Sequence, residues 1–277
     1  MKYKLKMKNY YILIFLFLNL TNEQIFLSEG KEEEKNQLQI EYQELTTPAP
    51  NTILCYPSQL SSEQKHGVVI WAPGNGAKAG DYQAIIKRLC SHGFVVIGLG
   101  SATGDGTKAI EALNFMDEKN KASDGPLSGK LDMDMVGCSG HSLGGAECRK
   151  AIVMDKRIKT FIINNSGDFN HAGMATVDAD RPIAVVYSNN GFERPNAEGD
   201  YGNEKVKAPA CLIMMDGANY EHGSGPGEGM AATVAWLRWH LGEEDFRKAD
   251  FVGTSGKYIN EPIIGHQGNW KGQCKNF

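Results

Sequence analysis

A serine flanked by small residues offers the clearest chemistry in this chain. Ser142 lies within GHSLGG (140–145), a G-x-S-x-G pattern that directly follows the apolar run 133–138. In a nucleophile elbow the chain turns sharply from a strand into a helix, and the turn exposes the serine hydroxyl. The next segment, 146–154, has helix-forming residues and neither Gly nor Pro. We therefore predict Ser142 to be a nucleophile rather than a serine of an ordinary glycine-rich loop.

A serine nucleophile needs a base that takes its proton. In folds built around such an elbow, the acid and then the histidine follow the serine along the chain. Of the seven histidines, His222, His240 and His266 come late enough in the sequence. His222 follows an apolar run by a short loop and precedes a glycine-rich stretch, so we predict it as the base. His240 is interpreted as a surface or packing residue of the last helix.

The carboxylate that orients the base is expected after the apolar run 183–187. Residues 188–192 carry no carboxylate, and Glu193 is the first acid that follows. We predict Glu193 as the acid, with Asp200 and Asp168 open as alternatives.

The oxyanion of an acyl-transfer reaction needs N–H donors. One is expected to be the backbone N–H of Leu143, directly after the nucleophile, and the other that of Asn75 in the loop after the first apolar run. The sequence contains no C-x-x-C or H-x-x-x-H spacing, so we predict no metal site.

Short apolar runs alternate with longer helix-like stretches from residue 66 onward. Most runs are continuously apolar, as expected for strands that are covered on both faces. The alternation predicts an α/β fold with a mostly parallel central sheet and helices on both faces. Ligands of such sheets bind at the carboxyl ends of the strands, where Ser142 lies. The predicted strands are 66–71, 94–99, 133–138, 160–164, 183–187 and 210–215, with antiparallel strands within 39–54; the predicted helices are 82–91, 107–120, 142–155 and 229–241.

The N-terminus is typical of a targeting segment. Four lysines precede an apolar stretch at 10–20, which is too short to span a bilayer of about 30 Å. We predict a signal peptide at 1–28, with an uncleaved membrane anchor as the alternative. Residues 29–39 are charged and read as a mobile tether, which leaves 40–277 as a single domain. The expected location is secreted or extracytoplasmic, with membrane contact only if the segment is uncleaved.

Charge and cysteine content limit the remaining possibilities. The formal net charge is −4, which argues against a nucleic-acid partner. Six cysteines permit disulfides without requiring them. Cys138 and Cys211 lie in apolar runs, where buried free thiols are as reasonable as bridges.

Four stretches carry a family resemblance: VVIWAPGNGA (68–77), SHGFVVIG (91–98), SGHSLGG (139–145) and TVAWLRWHLGEEDFRKADFVG (233–253). They resemble α/β-hydrolases of the dienelactone hydrolase, chlorophyllase and polyester hydrolase (cutinase-like) neighbourhood. The resemblance implies a serine hydrolase of carboxylic esters that needs no metal or organic cofactor. It assigns Ser142 as the nucleophile, His222 as the base, and Asn75 and Leu143 to the oxyanion hole.

Two departures from the family pattern matter. Family members usually carry Asp where this chain has Asn-Asn-Gly at 189–191, and an aromatic residue where it has Asn75. The second departure argues against aromatic polyester activity. A peptidase or acyltransferase using the same triad, and an inactive binding protein of the same fold, are the alternative functions.

Cap domains of this fold commonly enter after the strand that follows the nucleophile helix. Only about fifteen residues, 168–182, are available there, so we predict no cap domain. The result is an open cleft suited to a bulky or extended ester, with 189–202 and 223–229 as mobile rims.

Overall fold

One sheet forms the centre of the structure. The computed structural model describes residues 37–217, 227 and 229–277, and Gln39–Phe277 forms one compact unit. In this described part, nine strands form a sheet with the order β1-β2-β4-β3-β5-β6-β7-β8-β9. The strands are β1 Ile40–Leu45, β2 Thr52–Pro57, β3 His66–Ala72, β4 Val95–Gly98, β5 Leu131–His141, β6 Ile158–Asn164, β7 Ile183–Ser188, β8 Ala210–Asp216 and β9 Asn269–Lys275.

Strands β3 to β8 run parallel, and β2 and β9 pair antiparallel with their inner neighbours β4 and β8. The helices lie on both faces, as predicted. One core contains the buried side of α2, α3 and α4, and the other contains the buried side of α1, α5 and α6. The helices are α1 Gln83–Ser91, α2 Thr107–Lys121, α3 Leu143–Met154, α4 Arg194–Gly202, α5 Gly229–Leu241, α6 Lys248–Phe251 and α7 Lys257–Asn260.

The continuous apolar runs arise because each strand feeds both cores. In β3, Val68 and Ile70 pack into the core of α2 and α3, whereas Val69 and Trp71 pack into the core of α1 and α5. Successive side chains of a strand point to opposite faces, so a sheet covered on both faces needs apolar residues at every position. The predicted mostly parallel sheet is confirmed. Between β6 and β7 the described chain contains a single 3₁₀ turn, Met174–Thr176, and no cap domain.

The second half of the rim expected at 189–202 is a helix, and the mobility expected of this rim stays a prediction. Residues Arg194–Gly202 form α4, which has a proline in its first turn and an ion pair of 2.8 Å between Arg194 and Glu198. Proline suits the first turn because its missing N–H has no partner there in any case. The other expected rim, 223–229, lies almost wholly outside the described residues.

The six cysteines form three disulfides, Cys55–Cys90, Cys138–Cys148 and Cys211–Cys274. Of the two possibilities left open for Cys138 and Cys211, a buried free thiol or a bridge, the structure shows the bridge for both. Cys138 on β5 faces α3, where the Cα of Cys148 lies 5.4 Å from its own. Cys211 stands directly opposite Cys274 in the register of β8 and β9.

The predicted signal peptide at 1–28, and most of the tether at 29–39, lie outside the described residues. Among the residues that are described, no helix is both long and apolar enough to cross a bilayer.

Candidate active site

Ser142 occupies a sharp turn between the end of β5 and the start of α3. Its backbone adopts φ 54° and ψ −118°, an angle pair that residues with a side chain rarely take. The turn is fixed by two backbone hydrogen bonds: Ser142 N–H donates to Asn164 at 3.0 Å, and Gly145 N–H donates to Ser142 at 2.9 Å. Such strain persists where the surrounding structure enforces it, and it clusters at functional sites.

The glycines of the motif are required by close packing. A Cβ on Gly144 would overlap the carbonyl of Ala72 on β3, and a Cβ on Gly145 would overlap the Ser166 side chain. The helix that follows the serine therefore lies closer to the sheet than side chains at positions 144 and 145 would permit.

Ser142 opens onto a cleft of about 610 Å³. Three other residues singled out from the sequence, Asn75, Leu143 and Glu193, line the same cleft. It is also lined by Gly104, Ala146, Arg149, Lys150, Asn165, Ser166, Gly167, Asp168, Phe169, Ala172, Gly173, Thr176, Phe192 and Asn196. The structure thus brings four predicted site residues to one place, at the carboxyl ends of the strands.

The residues of the two predicted oxyanion donors, Asn75 and Leu143, line the same cleft as the nucleophile. Leu143 is the first residue of α3, and the N–H groups of a first helical turn have no partner within the helix. Asn75 is exposed in a turn closed by a hydrogen bond of 3.1 Å from Ala77 N–H to the Gly74 carbonyl. A Cβ on Gly74 would lie 3.6 Å from Cβ of Ser142, so this turn lies directly against the elbow.

A tyrosine that sequence reasoning missed supports this turn. Gly74 N–H donates to the Tyr82 hydroxyl at 3.0 Å, and the same hydroxyl lies 2.9 Å from Nδ1 of His141. Burial raises the pKa of Tyr82, so the phenol stays protonated at neutral pH. No sequence signal points to this contact, since Tyr82 precedes His141 by 59 residues.

Glu193 follows β7, the strand position where the sequence predicts the acid. The residue is 3% exposed and lines the Ser142 cleft. A Cβ on Gly191 would overlap the Glu193 carboxylate, so the glycine leaves the space in which that carboxylate lies.

The two alternative acids have different surroundings. Asp200 is fully buried, and its carboxylate accepts the N–H groups of Asp168 at 2.7 Å and Gly173 at 3.2 Å. Burial raises the pKa of Asp200. These bonds make Asp200 a support for the loop after β6. Asp168 lines the cleft and accepts the N–H of Asn170 at 3.3 Å.

The predicted base, His222, lies outside the described residues. His240 is described, and it stacks on Trp239 at 4.1 Å and meets the edge of Trp236 at 4.3 Å. Burial lowers the pKa of His240 to about 3, so the ring is neutral at physiological pH. Both observations agree with the predicted packing role. The described residues contain no cluster of ligands able to hold a metal ion.

Arg149 is the second cleft residue that sequence reasoning missed. It is 6% exposed, and its Nη1 donates to Ser166 Oγ at 3.1 Å. Arg149 follows Ser142 by about two helical turns, and this spacing could have predicted that both residues lie on the same face of α3.

The mostly parallel sheet with helices on both faces, and the strained serine turn between β5 and α3, are those of an α/β-hydrolase. A comparison with family models matches residues 50–262 to the PET hydrolase-like (PETase) family. The chain belongs to this family, and the membership makes it a hydrolase that acts on esters. A comparison with curated proteins found none that matches this chain.

Proposed function

We propose that the protein is a secreted serine hydrolase that cleaves carboxylic esters through an acyl-enzyme on Ser142. His222 takes the proton of Ser142 Oγ as the oxygen attacks the ester carbonyl carbon. The N–H groups of Asn75 and Leu143 bind the oxyanion of the tetrahedral intermediate. His222 then gives the proton to the leaving alcohol. Water next attacks the acyl-enzyme carbonyl carbon while His222 takes its proton, and His222 returns that proton to Ser142 Oγ as the acid leaves.

The observation that carries this proposal is the elbow itself. Ser142 has a left-handed backbone at the end of β5, and it shares one cleft with Asn75, Leu143 and Glu193. A serine of an ordinary loop needs neither a strained backbone nor neighbouring glycines that leave no room for a Cβ.

Glu193 is proposed as the acid that orients His222. Its place after β7 and its position in the cleft favour it over Asp200, whose two oxygens are used by backbone N–H groups. Glutamate occupies the acid position in some triads of this fold.

The cleft supports a bulky or extended ester. Phe169 and Phe192 line it and are 82% and 70% exposed, which gives it an apolar rim. Polyester chains belong to this substrate class, and the family description names one of them. The exposed amide of Asn75, where related hydrolases carry an aromatic ring, still favours aliphatic over aromatic esters.

Three disulfides support export. Disulfides persist in oxidising compartments and are rare in the cytosol. The expected signal peptide at 1–28 agrees with this location.

The direct test is Ser142→Ala assayed with p-nitrophenyl butyrate. The variant is expected to lose turnover and to keep the circular dichroism and melting temperature of the wild type. Ser139→Ala, three residues earlier on β5, is the matched control. Turnover by Ser142→Ala would contradict the proposal. Matched amides and acyl acceptors, assayed in parallel, separate an esterase from a peptidase or an acyltransferase.

A further inference from the structure

A guanidinium group forms part of the wall of the Ser142 cleft. Arg149 follows Ser142 by about two turns and therefore lies on the same face of α3. Side chains of a helix point back toward its N-terminus, so that of Arg149 extends toward the elbow. It lines the cleft although only 6% of it is exposed.

One edge of the Arg149 side chain is held by its neighbours. Nη1 donates to Ser166 Oγ at 3.1 Å, and this hydroxyl donates to the Ser142 carbonyl at 2.8 Å. Gly173 packs against Cδ and Nε, where an added Cβ would come within 2.8 Å of both atoms. A single hydroxyl therefore links the guanidinium to the backbone of the nucleophile.

The other edge of the guanidinium is available to a ligand. A guanidinium has five N–H donors, and the bond to Ser166 uses one of them. In the described part of the chain, no nitrogen of Arg149 is among the fully buried atoms that lack a partner. The nitrogens without a hydrogen bond therefore keep some accessible surface, and Arg149 lines the Ser142 cleft.

The nearby carboxylates do not occupy that edge. Asp200 and Asp168 attract the guanidinium through space, but neither is hydrogen-bonded to it among the described residues. Burial lowers the pKa of Arg149, yet a guanidinium remains protonated at neutral pH. Lys150, which is exposed, adds a second positive charge to the same cleft. A buried cation without a bonded anion is costly, and a bound anion would relieve this cost.

We propose that Arg149 binds a carboxylate of the substrate, so that the preferred substrates are esters with a free acid end. The inference rests on the proposed function and names its substrate class. Half-esters of dicarboxylic acids fit it, as do acid ends of polyester chains, because each cleavage of a polyester leaves a carboxylate on one fragment. The planar fork of arginine matches a carboxylate with two parallel hydrogen bonds.

Two soluble esters test this preference. The p-nitrophenyl half-ester of adipic acid and p-nitrophenyl hexanoate have acyl chains of equal carbon number and differ in a terminal carboxylate. A hydrogen bond to a charged group contributes enough to expect kcat/KM about ten- to a hundredfold higher for the half-ester. A wild-type protein that hydrolyses hexanoate with no preference for the half-ester overturns the inference alone. Hydrolysis of neither ester overturns the proposed function as well.

Two variants assign the preference to Arg149. In Arg149→Gln the ratio of kcat/KM for the half-ester to kcat/KM for hexanoate is expected to fall about ten- to a hundredfold. Lys150→Gln, the adjacent exposed cation of the same cleft, is the control and is expected to keep most of the preference. Equal losses on both esters in Arg149→Gln would assign Arg149 a structural role and overturn the inference. If Arg149→Gln does not fold, Arg149→Lys replaces it, and an unchanged preference in that variant counts against the two-bonded contact.

Discussion

The hydroxyl of Tyr82 lies 2.9 Å from Nδ1 of His141, the residue directly before the nucleophile. Because the hydroxyl also accepts the N–H of Gly74, it joins the end of β5 to the turn that contains Asn75. The phenol therefore links the turn of one predicted oxyanion donor to the strand end before Ser142.

Tyr82→Phe removes this link while keeping the ring. It leaves the buried Gly74 N–H without the hydroxyl that accepts it, and an unsatisfied buried group costs about 1–3 kcal/mol. We expect kcat for a p-nitrophenyl ester to fall about tenfold. The measurement is steady-state kinetics beside a melting curve. Tyr56→Phe on β2, outside this cleft, is the control. An unchanged kcat in Tyr82→Phe would show that the Tyr82 hydroxyl does not contribute to catalysis.

The Cys138–Cys148 disulfide encloses the nucleophile, since its two cysteines lie ten residues apart on either side of Ser142. Replacing both cysteines with alanine is expected to lower the free energy of unfolding by about 2–4 kcal/mol. Because the bond joins β5 to α3 across the elbow, we also expect lower specific activity at temperatures where the protein stays folded. Urea unfolding and kinetics on the same preparation measure both effects.

The Cys211–Cys274 pair provides the matched comparison, because it joins β8 to β9 at the sheet edge. Its double alanine variant should lose stability and retain specific activity. Equal loss of specific activity in both variants would mean that the elbow has no special need of its disulfide.

We expect His240 to make the folded protein less stable at acidic pH. Its pKa is about 3 in the folded protein and 6.5 when exposed, so the unfolded chain binds the additional proton between these values. The free energy of unfolding should therefore decrease as the pH falls from 6.5 toward 3, by about 1.4 kcal/mol per pH unit from this residue. His240→Phe should flatten this dependence in urea titrations at several pH values. His266→Gln, at an exposed histidine, should not, and parallel pH slopes for wild type and His240→Phe would refute the assignment.

We expect Phe169 and Phe192 to affect the hydrolysis of polymeric substrates more than that of soluble ones. Replacing either with alanine removes apolar surface at the rim of the cleft, which an extended chain would cover. We expect hydrolysis of aliphatic polyester particles to fall about three- to tenfold, and that of p-nitrophenyl acetate to change little. Product release from the particles is the readout. Phe246→Ala removes an equally exposed ring, 71% accessible, elsewhere on the protein, and an equal loss there would point to general surface adsorption.

Much of the fold follows from hydrophobic pattern, because strands covered on both faces leave continuous apolar runs. The pattern fails at β9, whose sequence NWKGQCK is largely polar. This strand pairs with β8 at the edge of the sheet, so half of its positions need no apolar side chain. It also fails at α4, where two glycines lower the helix propensity and packing of the buried Ala197 and Asp200 prevails.

The candidate site was predictable where chain order decides it. Ser142, Leu143, Asn75 and Glu193 each follow a particular strand, and parallel strands end at one edge of the sheet. Tyr82 and Arg149 were missed because their roles depend on side-chain direction in the folded protein. The assignments of His222 as base and Glu193 as acid stay predictions.

The most direct test of the central claim is labelling with a fluorophosphonate probe, read by intact mass and peptide mapping. We expect one label on Ser142 of the wild type. In Glu193→Gln, labelling should be at least about tenfold slower, because the base loses its charged partner. Asp168→Asn, which alters another carboxylate of the same cleft, should label at the wild-type rate. A wild-type protein that takes no label, or takes it at a residue other than Ser142, would contradict the account.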